Sequence, residues 1–175
     1  MKLIIAPLHE VAGLVAAHQP SHLISLASPG HVDAPLAHAP PYRLDLRFND
    51  IAAPREGLTP PSDADIAALL AFAEGWDGTR PMLIHCWAGV SRSTAAAYAV
   101  ACARSERGRE QAWAEHLRAV APTATPNPLI VAHADRMLGR DGAMIRAVAA
   151  IGRGAETDWG APFELDLTAE GGDRR

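Results

Sequence analysis

The stretch Pro81-Met82-Leu83-Ile84-His85-Cys86-Trp87-Ala88-Gly89-Val90-Ser91-Arg92-Ser93-Thr94-Ala95-Ala96-Ala97 changes its hydrophobic pattern within a few residues. Met82 to Ile84 is an apolar run, and Pro81 to His85 reads as a central strand buried on both faces of a parallel sheet. From Ser93 to about Cys102 alanine dominates, the residue with the highest helix propensity. Small residues fill the space between. The passage predicts a strand, a tight loop and a helix N-terminus in succession, an arrangement suited to holding an anion.

Working outward, Leu3 to Ala6 reads as a strand, His9 to His18 as a helix ended by Pro20, and His22 to Leu26 as a second strand. Ser28-Pro29-Gly30 breaks that strand, and His31 to Pro41 reads as a connecting loop. Tyr42 to Phe48 alternates apolar and polar positions, the period of a half-exposed strand, and ends at Asn49-Asp50. Ser62, with Asp65 three residues on, opens a helix carrying Ile66, Leu69, Leu70 and Phe72. Beyond the central passage, helices are expected over Arg109 to Val120 and Leu129 to Leu138, with a Pro122 to Pro128 loop between them and Gly139 as the stop. The expected fold class is α/β, a central, mainly parallel sheet flanked by helices, with the site at the carboxyl end of the Met82 to His85 strand. Residues 1–151 form the expected domain and 152–175 a looser tail, whose Trp159, Phe163 and Leu165 either pack back over the domain or meet a partner.

Composition narrows the function. The 175 residues are 49% apolar and 21% charged, ordinary globular usage with room for one domain. Twenty acidic against sixteen basic residues leave a formal charge of −4, which argues against a nucleic-acid partner held by electrostatics. No apolar run approaches the roughly 18 residues of a membrane span, and Pro7, His9 and Glu10 interrupt the N-terminal one, so a soluble, cytoplasmic chain without a membrane partner is expected. Two cysteines are too few for a disulfide framework or a four-cysteine zinc site, and the histidines lack zinc-ligand spacing; neither metal nor cofactor is expected. Oligomeric state is not legible here.

The loop carries the chemistry. Five residues separate Cys86 from Arg92, and successive backbone N–H groups of Trp87, Ala88, Gly89, Val90 and Ser91 can point inward to cradle an oxyanion beside the helix start. Gly89 permits the tight curvature. Arg92 can offer two parallel donors to two phosphoryl oxygens. The same positive field favours a Cys86 thiolate, a ready nucleophile. Ser93 can donate to the sulfur and ease its departure, and His85 is placed to orient the loop. Cys102, on the apolar face of the next helix, is expected in the core.

His85-Cys86, two residues, Gly89, two residues, Arg92-Ser93 resembles the signature of the cysteine-dependent protein tyrosine and dual-specificity phosphatases. The resemblance spans about Leu23 to Leu138 and implies a phosphotyrosine-phosphatase-like fold and hydrolysis of a phosphorylated partner, a phosphoprotein or small phosphomonoester, through a phosphocysteine intermediate. It further implies a general acid on an upstream loop. Asp50, at a strand end, is the residue that fits that role, with a loop cap as the rival reading; Asp45 lies inside the strand, and Asp63 and Asp65 read as helix-start residues. Pro126-Asn127 is similar to the pair that braces the phosphate loop in dual-specificity members, although Asn127 can also simply shape a turn. Trp87 would set an indole at the pocket floor. A catalytically silent phosphate-binding module is the main rival, and a rhodanese-type sulfur transferase a distant one, since its loop usually lacks the Arg-Ser close.

Overall fold

Strands β1 (Lys2–Pro7), β2 (His22–Ala27), β3 (Tyr42–Arg47), β4 (Met82–Cys86) and β5 (Phe163–Asp166) form one sheet in the order β3-β2-β4-β1-β5. The computed structural model describes residues 1–32 and 35–168; residues 33–34 of the expected loop and 169–175 of the expected tail lie outside the described residues. Neighbours among β1 to β4 run parallel, and β5 is antiparallel to β1. Six helices cover the faces: α1 (Val11–His18), α2 (Asp63–Glu74), α3 (Arg92–Ala103), α4 (Glu110–Val120), α5 (Pro128–Met137) and α6 (Ala143–Ile151).

The alternation of side chains along each strand divides the core in two. Leu3 and Ile5, Ile24 and Leu26, and Met82, Ile84 and Cys86 face the larger cluster, built with α2 to α6. Ile4, Ala6, Leu23 and Leu83 face the other side, where Val11 and Val15 of α1 cover them. Both faces are covered, which is why these strands lack a polar alternation. Helix α3 is buried from Arg92 through Cys102, and its alanines let the sheet and three further helices approach it closely. Ser62 and Asp65 close a reciprocal capping box at the start of α2, as their spacing predicts.

Two elements go beyond the sequence expectation. Helix α6 begins at Gly142, in the left-handed region, and Asp135 of α5 accepts its orphan N–H groups from Gly142 at 2.7 Å and Met144 at 2.9 Å. The segment after Ile151, expected to be looser, is fastened instead. Arg118 donates to the carbonyls of Ile151, Gly152 and Ala124, and the chain then returns to pair as β5 with β1. Leu165 is fully buried in the main core, and Lys2 pairs with Glu164 at 2.8 Å across the strand edge. Of the two outcomes open for this segment, packing back is the one found.

Leu165→Ala is expected to cost about 2–4 kcal/mol in urea unfolding, as for other large-to-small changes in a packed core. A segment merely resting on the surface would give a change within about 0.5 kcal/mol.

Candidate active site

The loop between β4 and α3 is shaped by where its carbonyls go. Trp87 O accepts from Leu8 N–H at 3.1 Å, Ala88 O from Gly160 N–H at 2.8 Å, and Val90 O from Thr125 N–H at 2.9 Å. Ser91 O accepts from Ala95 and Asn127 N–H, and the Thr94 hydroxyl reaches both Val90 O at 2.6 Å and Ser91 O at 2.9 Å. In a planar trans peptide the N–H points opposite to the C=O. The N–H groups of Ala88, Gly89, Ser91 and Arg92 are therefore turned toward the space the loop encloses. Gly89 has a φ of +72°, and a β-carbon there would lie 2.6 Å from Pro7 N, so only glycine lets the loop press against the end of β1.

Cys86 closes β4 with 2% exposure, its Sγ 3.2 Å from Ser93 Oγ. Arg92 opens α3 at 4% exposure; its Nη1 donates to Phe48 O at 2.9 Å and approaches Ser28 Oγ at 3.4 Å. The buried Arg92 Nε has no hydrogen-bond acceptor among the described residues and stands 3.9 Å from Asp50 Oδ2.

Asp50 is reached from two directions. Its Oδ1 accepts from Ser91 Oγ at 2.7 Å and Asn127 Nδ2 at 2.8 Å. Asn127 also donates to Ile51 O at 3.0 Å, while its own Oδ1 caps α5 through Leu129 and Ile130 N–H. It ties the Asp50 segment, the phosphate-sized loop and α5 together by its side chain and backbone, so the bracing and turn-shaping readings of Asn127 describe one arrangement. Asp50 combines in the same way its cavity position with a loop-fastening contact.

A cavity of about 470 Å³ gathers Cys86, Arg92 and Asp50 with His85, Trp87, Ala88, Ser28 and His31. Val90 and Ser91 line a separate groove with Thr125 and Val148, and Ser93 stands behind the sulfur. Trp87 is not at the floor. It is 56% exposed and stands at the mouth, because its carbonyl is drawn outward to Leu8. Cys102 is in the core as expected, and burial pushes its thiol up to about 12. The braces supplied by Leu8, Thr125 and Gly160 are backbone donors, which leave no side-chain signature in a sequence, and the brace from the Thr94 hydroxyl goes beyond the sequence expectation.

No family model matches the sequence, and no curated protein does. Solved structures do. One is the crystal structure of DUSP15, at a TM-score of 0.56 and 18% identity over 85% of this chain and 89% of that one. The Yvh1 phosphatase domain from Chaetomium thermophilum gives 0.56 and 17%, over 81% and 93%. Human DUSP28 gives 0.55 and 19%, over 78% and 88%. The chain has the dual-specificity phosphatase fold. In that fold the sheet end, the β4–α3 loop and the Asp50 segment converge on one cavity, as described above. The two tyrosines of this dual-specificity phosphatase fold stand away from the cavity lining: Tyr98 is buried, donating to Glu110 O, and Tyr42 stacks on His22 at the sheet edge.

The two thiols should differ in chemistry. Treatment of the native protein with iodoacetamide near neutral pH, followed by peptide mapping, is expected to alkylate Cys86, with Cys102 labelled only after unfolding. Labelling of Cys102 at a comparable rate in the native state would contradict this placement.

Proposed function

We propose that the chain hydrolyses phosphomonoesters through a phosphocysteine intermediate. The observation that carries this reading is the outward turn of the loop carbonyls around Cys86, which leaves a ring of N–H donors, completed by Arg92, in the cavity that Asp50 also lines. A tetrahedral dianion suits such a ring in shape and charge.

In the first step the Cys86 thiolate attacks phosphorus. An S–P bond forms as the P–O bond to the leaving group breaks, and Asp50 gives its proton to the departing oxygen. The loop N–H groups and Arg92 stabilise the charge on the three equatorial oxygens. In the second step a water oxygen attacks phosphorus and loses its proton to Asp50. The S–P bond breaks, and the Ser93 hydroxyl, already 3.2 Å from Sγ, donates to the leaving thiolate. Phosphate departs, and Asp50 is again protonated. Ser91 and Asn127 hold Asp50 through Oδ1, which leaves Oδ2 as the oxygen turned toward the Arg92 side of the cavity.

The neighbours are described as dual-specificity phosphatases, and one of them, a mouse putative dual-specificity phosphatase, was crystallised in complex with zinc tungstate, which contains a tetrahedral oxyanion. By that likeness the substrates proposed here are phosphomonoesters, either a phosphoprotein side chain or a small phosphorylated molecule.

Hydrolysis of an aryl phosphate in EDTA by the wild type, and none by Cys86→Ser, is the expected outcome. If neither protein turns over while both bind vanadate, the chain is a phosphate-binding module without activity. The acid is tested separately. Asp50→Asn is expected to slow esters of poor leaving groups by about 10²-fold or more, while sparing activated ones. Asn127→Ala should produce the same leaving-group dependence at about tenfold, and the Asp50→Asn/Asn127→Ala double variant little beyond Asp50→Asn alone, since the two act as a unit. A uniform loss across leaving groups would remove Asp50 from the acid role.

A further inference from the structure

The mouth of the cavity carries a row of aromatic rings that the phosphatase chemistry leaves unused. Trp87 follows the nucleophile directly and lines the cavity, yet its ring is more than half exposed. The Trp159 indole lies beside it, centroid to centroid 5.6 Å, with the planes tilted by 38°. His9 stands edge-on to Trp159 at 5.0 Å and His31 edge-on to Trp87 at 6.3 Å. The four rings come from four segments far apart in sequence.

The row is fixed to the phosphate loop. Gly160, next to Trp159, donates its N–H to Ala88 O at 2.8 Å, and any β-carbon at Gly160 would come within 3.0 Å of Gly89 O. Thr157 Oγ1 donates to Trp159 O at 2.7 Å and shapes the turn that presents the indole. A ring held this way loses little freedom when a ligand settles on it.

Charge tells what settles there. Among the described residues that line the cavity, Arg92 is the one fixed cation, and the transferred phosphoryl group occupies it. The four rings contribute no lysine or arginine, and Glu10 lies 3.7 Å from His9 at the far end. A second phosphate or an acidic leaving group finds no counter-charge here, whereas a flat apolar ring finds indole.

We propose that the site selects phosphomonoesters whose leaving group is an uncharged aromatic system larger than one ring, with Trp87 and Trp159 as the specificity-determining residues. This rests on the phosphatase reading above. With phosphate in the loop, the ester oxygen faces the mouth. The first ring of the leaving group meets Trp87, and a second ring extends toward Trp159.

The comparison to make is 2-naphthyl phosphate against phenyl phosphate, whose leaving groups have similar acidity, so that the ratio of kcat/KM reports the shelf rather than the chemistry. The wild type is expected to prefer the naphthyl ester by about tenfold, the worth of one further apolar ring removed from water. Trp159→Ala should bring the ratio to about one, and Trp159→Phe should restore part of it. A wild-type ratio near one, or a ratio unchanged in Trp159→Ala, overturns the proposal. Turnover is not needed for the second arm, in which Cys86→Ser is titrated with both esters. Tighter binding of the naphthyl ester by about tenfold supports the shelf even where hydrolysis fails and the phosphatase reading falls with it. Equal binding of the two esters overturns the shelf and leaves the phosphatase reading standing.

Discussion

The outward hydrogen bonding of the loop carbonyls from Trp87 to Ser91 is the constraint on which the rest of the structure turns. The seven-residue passage from Cys86 to Arg92 has no ladder of its own, and its peptides would otherwise flip to suit local sterics. Each outward carbonyl needs a donor outside the loop, and every donor comes from a different place: Leu8 after β1, Thr94 in α3, Thr125 and Asn127 before α5, Gly160 before β5. The parallel sheet brings the ends of β1 and β4 side by side, and the helices bring the others. The fold is arranged so that four segments hold one short loop open.

That arrangement also explains the glycines at the site. Gly89 sits where the loop meets the end of β1, and Gly160 where the returning C-terminal segment meets the loop from the opposite side. In both places backbone rests on backbone with no space for a β-carbon. The charge at the site is laid down in the same economy: one buried guanidinium, one half-exposed carboxylate and a set of peptide dipoles.

Strands β1 to β4 as segments of the chain, five of the six helices among the described residues, and the loop that joins Cys86 to Arg92 were legible in the sequence, because they rest on local patterns: apolar runs, a capping box, and a glycine and an arginine at fixed offsets. What stayed hidden rests on partners distant in the chain. Helix α6 takes its cap from Asp135, on the preceding helix rather than at its own start. Strand β5 is four residues long and depends on the exposed edge of β1 for its pairing. Arg118 gave no hint that its guanidinium would hold four carbonyls of later segments. Trp87 was placed at the wrong depth because its orientation follows from Leu8, seventy-nine positions earlier.

The pairing of β5 with β1 has a consequence for the order of assembly. The first strand of the chain obtains its second neighbour from one of the last, through contacts whose sequence separation is among the greatest the chain contains. Until residues near 166 are available, β1 presents an open edge of unpaired N–H and C=O groups, and Ala88 O lacks the Gly160 donor. High separation between pairing strands slows folding, since loop closure must precede the contacts that reward it. The loop is therefore finished late, and a nascent chain that has already made Cys86 does not yet have the surrounding hydrogen bonds complete.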